Sequence, residues 1–264
     1  MNNGVTVNDI KTVEEFGRQY QSHYRHVFRG QSDSRWKLET TLERAALRLN
    51  ESGVELERHI LREFQRQAPN YLSRLPERDD ALEWLSLIRH YGSPCRLLDF
   101  SHSFWIALFF AMESANSNFS VFVVNLLPLD KLKDGICRVD IAGNEVRGVC
   151  DMNSFLRDSM HGEQGEEFKK VYSDEPFYIN ERFASQQGHV LFSGSADTSF
   201  EKALENSGRA GEDVLVDRID IDFGLRRDVA HLLEKMNISH RTLMPGLEGF
   251  AKSFWNPWIP KSMI

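Results

Sequence analysis

The stretch His90-Tyr91-Gly92-Ser93-Pro94-Cys95-Arg96-Leu97-Leu98-Asp99-Phe100-Ser101 crowds an imidazole, a thiol, a guanidinium, a carboxylate and a hydroxyl together, and Ser103 follows two residues later. Cys95 between His90 and Asp99 has the makings of a nucleophile with a base and an orienting acid. Against this, Pro94-Cys95-Arg96 runs into Leu97-Leu98, a setting that buries a thiol rather than activating it. In a structural reading Arg96 and Asp99 pair, and Ser101 or Ser103 caps the helix that follows. In a functional reading the same groups line a pocket. Phe28-Arg29-Gly30-Gln31 and Gln186-Gln187-Gly188 are further polar blocks lying next to apolar runs that must share a core. Arg29 and Arg96 would suit an anionic ligand, since a guanidinium fork matches an oxyanion. The structural alternatives are an Arg29 buried against Asp99, and surface or sheet-edge amides for Gln186 and Gln187.

Any attraction for an anion must be local. The 264 residues carry 39 acidic and 32 basic side chains, a formal charge of -7, so no general field draws a polyanion. His23-Tyr24-Arg25-His26 with Arg29 and Arg35 is the basic stretch that would serve a nucleic-acid ligand, though such runs are usually solvated faces. A P-loop, a glycine-rich dinucleotide fingerprint, a nucleophile elbow and a His-Glu-x-x-His helix are all missing. Cys137 and Cys150 are widely spaced, and His161 and His189 have no partner at ligand spacing, so no metal site is expected. Three cysteines make no disulfide framework, no apolar run reaches membrane-spanning length and the first residues show no signal-peptide pattern. A soluble cytoplasmic protein with no membrane association is the expectation.

The elements that must position these groups can be read in outline. Thr12-Val13-Glu14-Glu15 has the form of a capping box, starting a helix that runs to about residue 23. His26-Val27-Phe28 reads as a short strand leading into a turn at Arg29-Gly30-Gln31-Ser32-Asp33. Leu56, Ile60, Phe64, Ala68 and Leu72 recur every four positions, predicting an amphipathic helix with Pro69 disturbing its end. A second helix from about Asp80 turns Leu82, Leu85 and Ile88 inward and stops at Gly92. Phe104 to Met112 is apolar all round and too short to cross a bilayer, which predicts a helix buried in the core. It also takes up part of an unusual total of 18 phenylalanines.

Val121-Phe122-Val123-Val124-Asn125-Leu126 predicts a central strand. Between about residues 131 and 180 periodicity is lost, and loops with short strands are expected. His189 to Phe192 and Val214 to Ile221 read as strands, with Gly208-Arg209-Ala210-Gly211 as a turn between them. A final amphipathic helix places Val229, Leu232, Leu233 and Met236 on one stripe and ends at Asn237, and the tail Phe254-Trp255-Asn256-Pro257-Trp258 packs back on the domain. The fold class is α+β, a single domain over residues 1–264 with a mixed β-sheet core.

Several of these blocks resemble one family. Phe28-Arg29-Gly30-Gln31, Trp36-x-Leu38 with Arg44, the segment from His90 to Ser101, Ala107-Leu108-Phe109-Phe110-Ala111, Asn180-x-Arg182 with Gln186-x-Gly188, and Thr242-Leu243-Met244-Pro245-Gly246-Leu247-Glu248-Gly249 are similar to the FRG domain, named for its Phe-Arg-Gly motif. They occur in the family's order from about residue 26 to 250. Cys95 stands where the family has Thr, Phe100 where it has Trp, Ser101 in place of Thr and Val190 where an aromatic is common. The family occurs mainly in bacteria and phages. More distantly, a strand ending in aromatic-Arg-Gly, a later Ser-x-Ser and a still later turn into a strand resemble the three motifs of arginine-type ADP-ribosyltransferases.

That resemblance implies an ADP-ribosyltransferase-like fold with N-terminal and inserted helices. It also implies an enzyme using NAD as substrate, for ADP-ribose transfer or NAD glycohydrolysis, in a bacterial or phage defence or toxin setting. Arg29 would contact an NAD phosphate, with Gly30 beside it. Ser101 and Ser103 would scaffold the nicotinamide side, and His90, Arg96 and Asp99 would form the pocket. Gln187 would stand at the catalytic turn. The family's turn ends in a glutamate that stabilises an oxocarbenium-like transition state; here it reads Gln186-Gln187-Gly188, and Glu181 or Glu248 would have to supply the charge. The alternative is a non-catalytic module binding a nucleotide, a nucleic acid or a protein partner.

Overall fold

The computed structural model describes residues 4–22, 25–134, 138–139, 145–146, 152–162, 165–176, 179–208 and 216–254. Strand β1 (Val5–Val7) and helix α1 (Ile10–Gln21) lead to β2 (His26–Gln31), followed by α2 (Thr41–Leu49), α3 (Gly53–Gln67) and α4 (Ala81–His90). Then come β3 (Leu98–Ser101), α5 (Phe104–Glu113), β4 (Phe119–Asn125), α6 (Leu127–Asp134), β5 (Arg138–Val139), β6 (Glu145–Val146), α7 (Met152–Met160) and β7 (Val171–Asp174). The chain continues through α8 (Glu181–Ser185), β8 (Gly188–Ser193), α9 (Phe200–Ser207), β9 (Val216–Ile221), α10 (Arg226–Lys235), α11 (His240–Leu243) and α12 (Leu247–Ser253).

Seven strands form one sheet in the order β1-β9-β4-β2-β3-β8-β7. β1 and β9 are parallel and every other pair is antiparallel, so the sheet is mixed, as the α+β reading expects. β3 and β4 flank β2 and both oppose it, so α5 is the crossover that returns the chain across β2. Its apolar composition has that cause: Phe104, Ile106, Ala107, Leu108, Phe109, Ala111 and Met112 are all buried. Trp105 and Phe110 are half-buried on the same cluster. The helix lies very close to β2. A Cβ on Gly30 would stand 2.1 Å from the Ala107 carbonyl oxygen and 2.5 Å from the Ala111 nitrogen, so only glycine fits there. Phe28 meets Phe104 edge to face at 5.7 Å, and several of the phenylalanines are thereby accounted for.

Local chemistry sets some boundaries differently from the sequence reading. Helix α1 is capped by Asp9, whose carboxylate accepts from the Thr12 N–H at 3.1 Å, rather than by Thr12. β2 continues through Arg29, Gly30 and Gln31, each opposite a residue of β4, so the turn begins only at Ser32. Helix α3 stops at Gln67 and a single 3-10 turn carries Pro69. The aperiodic stretch after residue 131 contains α7, whose Met152, Phe155, Leu156 and Met160 are buried. Val229 and Leu233 of α10 are buried, but Met236, just past the end of the helix, is exposed. Two short helices follow α10, and Asn237 ends it in the left-handed region at φ 59°. His23, Tyr24, Cys137, Cys150, Arg209 to Leu215 and the tail from Trp255 lie outside the described residues.

Candidate functional site

Three polar blocks far apart in sequence meet because β2, β3 and β8 are neighbours. Phe28 stands opposite Ser101, and Ser101 opposite Gly188, in one row across the sheet. Strands β2 and β3 share only that one register pair. Next to it the Arg29 side chain takes the place of ladder hydrogen bonds, its Nη1 donating to the Asp99 carbonyl oxygen at 2.5 Å. The Asp99 carboxylate is bound instead by Nη2 of Arg89, in the last turn of α4.

Two guanidiniums therefore gather about one acid, and the Nε of each is buried with no hydrogen-bond partner. Burial lowers the Arg29 pKa to about 10, with Asp99 working against that and Arg89 and Arg44 adding to it. Arg29 stays charged at neutral pH, so this corner carries an excess of positive charge. A buried donor without a partner costs free energy, on the order of 1–3 kcal/mol, which an incoming anion would recover.

Beside Asp99 lies a cavity of about 130 Å³, walled by Arg89, His90, Asn180, Arg182, Gln186 and Gly188 among others. It adjoins a second of about 400 Å³ through Ser86, His90 and Asn180, which line both. Together they reach the size range of small-molecule sites. Asn180 caps α8, its Oδ1 accepting from the Phe183 N–H at 2.8 Å, and its Nδ2 lies 3.4 Å from His90 Nδ1. Phe183 lies over Gly188, where a Cβ would come within 2.6 Å of the ring. Ser185 Oγ and Gln186 Nε2 donate to the Leu243 carbonyl, so the Thr242 to Gly249 segment braces this wall. A larger cavity of about 590 Å³ lies over α3 and the turn after it, and none of the predicted site residues lines it.

The predicted residues divide. His90 and Asp99 line the groove, and Arg29 reaches Asp99 from behind. Arg96 does not: it is 1% exposed and its guanidinium is taken up by Glu57, Ser159 and the carbonyls of Ser193 and Gly194. The expected Arg96–Asp99 pair is thus replaced by Arg96–Glu57 and Arg89–Asp99. Gly30 packs against the backbone of α5 and is not among the residues that wall the groove. Ser101 is buried and donates to the Gln186 carbonyl at 2.7 Å, and Ser103 caps α5 by accepting from the Ile106 N–H at 3.4 Å. Gln187 is exposed, in the left-handed region at φ 47°, and its carbonyl accepts from the His102 N–H. Arg29, Asp99, Ser101 and Gln187 therefore do not line one cavity. Glu181 is exposed at the start of α8, and Glu248 is exposed on α12 and bound by Lys252. Cys95 is fully buried and its pKa is pushed up to about 12 by burial, with Glu57 adding to the rise, so it is no nucleophile.

The sequence reading missed Arg89, hidden among the polar residues of an amphipathic helix, and a second cluster at the ends of β3, β7 and β8. There His189 Nδ1 lies 3.0 Å from Glu175 Oε1, and His102 Nε2 lies 3.6 Å from the same oxygen. Ser173 Oγ sits 2.8 Å from His189 Nε2. Burial opposes ionisation of Glu175, but its hydrogen bonds to His189 and His102 and their charges prevail and hold its pKa below the ordinary carboxylate range. Burial likewise holds His189 below the usual histidine value, against the pull of Glu175. His189 thus has partners that sequence spacing could not reveal; only pairing of β7 with β8 and β8 with β3 unites them.

The family model of the FRG domain matches residues 24–119, so the chain carries an FRG domain there. The matched span holds Arg29, Arg89, His90, Asp99 and Ser101, while Asn180 to Gly188 complete the groove from outside it. No curated protein and no solved structure matches the chain. Among the described residues no helix is long and apolar enough to cross a membrane.

Proposed function

We propose that the groove beside Asp99 binds NAD and that the protein is an ADP-ribosyltransferase-like enzyme, transferring ADP-ribose to an acceptor or hydrolysing NAD. The observation that carries this reading is the pair Arg29 and Arg89, which converge on Asp99, Arg29 at its backbone carbonyl and Arg89 at its carboxylate, and each keep a buried Nε–H unpaired. A phosphate in the groove would meet Arg89 directly, and the charge of Arg29 behind Asp99 would add to the attraction. The alignment of Phe28, Ser101 and Gly188 in one row supports it, since it brings together the strands bearing the three motif-like blocks. So does the left-handed Gln187, because strained non-glycine backbone gathers at functional sites. In this reading His90 and Asn180 hold the nucleotide along the groove. A bacterial or phage defence or toxin role belongs with it.

A second reading, a non-catalytic nucleotide-binding module, is favoured by one feature: the turn offers the amides of Gln186 and Gln187 where stabilising an oxocarbenium-like cation calls for a carboxylate. Calorimetry with NAD and nicotinamide release, with and without cell lysate, separate the two. Binding with release supports the enzyme, and binding without release supports the module. Arg29→Met and Arg89→Met, checked for folding by circular dichroism, should each weaken NAD binding at least tenfold. Neither binding nor release in any condition refutes the NAD reading.

A further inference from the structure

We infer that His102, Glu175 and His189 form a binding site for a divalent first-row transition cation of the zinc type. The facing donor atoms of the three residues lie within 4.8 Å of one another. Two of the separations are 3.0 Å and 3.6 Å, both to Glu175 Oε1. With bonds of about 2.0–2.1 Å to zinc, two donors of a tetrahedron stand about 3.3 Å apart, so these two separations bracket the required edge. Two imidazoles and a carboxylate are the donor set that borderline cations such as zinc prefer.

The surroundings fit as well. Ser173 Oγ lies against His189 Nε2, the position from which a neighbouring acceptor orients a ligating ring. In the tautomer that donates Nε2–H to Ser173, the lone pairs of Nδ1 and Glu175 Oε1 face each other at 3.0 Å, an arrangement that a cation between them relieves. His189 is 5% exposed and anchors the site, whereas the side chains of His102 and Glu175 are 36% and 49% exposed. A cation would thus enter from the open side, and three protein ligands leave a fourth position there of the kind a metal-bound water takes.

The chain Ser173–His189–Glu175 also has the spacing of a nucleophile, a base and an orienting acid. Ser173 is only 6% exposed, which denies a substrate access to its hydroxyl, and that arrangement leaves His102 idle. The cation uses all three donors.

The site stands apart from the NAD reading, and its test needs no activity. Tag-free, chelator-treated protein is titrated with ZnCl2 by calorimetry and with CoCl2 while the visible absorption of Co(II) is followed. Saturable one-to-one binding with an intense low-symmetry Co(II) spectrum is expected. His102→Ala and Glu175→Gln, both at partly exposed positions and expected to fold, should weaken binding at least tenfold each, and Ser173→Ala by roughly 10–100-fold. Absence of saturable binding overturns the proposal. So does binding that survives both His102→Ala and Glu175→Gln, whether it follows the thiols of Cys137 and Cys150 or any other groups.

Discussion

Replacing Arg96 by methionine should unfold this protein more readily than almost any other single change, and it should do so without touching a ligand. Arg96 and Glu57 have side-chain exposures of 1% and 2%. Arg96 Nε donates to both Glu57 carboxylate oxygens at 2.7 and 2.9 Å. Nη1 reaches Ser159 Oγ at 3.0 Å and the Gly194 carbonyl at 2.9 Å, and Ser159 itself donates to the same carbonyl. One guanidinium thereby ties α3 and α7 to the residues following β8. Methionine keeps much of the volume but leaves a buried carboxylate uncompensated. Breaking a buried pair from one side costs about 3–5 kcal/mol, which for a chain of this size lowers Tm by roughly 6–20 °C.

The double variant Glu57→Met/Arg96→Met removes both charges and should recover much of that loss, because replacing an entire buried pair by apolar groups is often neutral. Urea and thermal unfolding of the parent, both single variants and the double variant form the assay, a double-mutant cycle. A loss below about 1 kcal/mol in Arg96→Met, the level of an exposed pair, would refute the reasoning. So would strict additivity of the two single losses. A second readout keeps stability and binding apart: at a temperature where Arg96→Met is folded, its affinity for any ligand of the groove should equal the parent's.

Gly30→Ala should lose on the order of 1–3 kcal/mol or more in urea unfolding, since its Cβ would meet the backbone of α5 at Ala107 and Ala111, and backbone cannot rotate away. The acid side of the stability curve should register Glu113. His240 Nε2 bonds it at 2.5 Å, and that hydrogen bond, opposed by burial and aided by the charges of His240, Lys252 and Arg182, depresses its pKa below the ordinary 4.5. A depressed folded value means stabilisation that is complete above the unfolded pKa and lost as pH falls through the folded one. Glu113→Gln should therefore be less stable than the parent by about 1 kcal/mol near pH 7. The two unfolding curves should converge as the pH falls through the depressed folded pKa and both side chains become neutral; a difference that persists in that acid limit would show that the effect is not ionic.

Much of the framework was legible in the residues themselves, and the reason is local. The all-apolar run from Phe104 could only be a buried helix, the β-branched run from Val121 only an interior strand, and Gly92 and Asn237 mark helix ends because they accept positive φ. Helix α7 was not legible, because its apolar positions are separated by polar ones in a stretch rich in charge and glycine. The same line divides the site. The residue types by themselves marked His90, Asp99 and Arg29 as polar groups beside core segments, Asn180-x-Arg182 entered only through the resemblance to the FRG domain, and the groove is walled largely by the His90 to Ser101 and Asn180 to Gly188 segments. Partnership lay beyond the sequence. Arg96 and Arg89 are both arginines close to Asp99 in the chain, yet Arg96 turns into the core toward Glu57 while Arg89, a helix away, takes the carboxylate. His102, Glu175 and His189 share no spacing motif and meet only where β3, β8 and β7 lie side by side. Residue type and period decide which way a chain segment faces, whereas which charges meet depends on strand order and register, and these are set only when the whole sheet closes on its core.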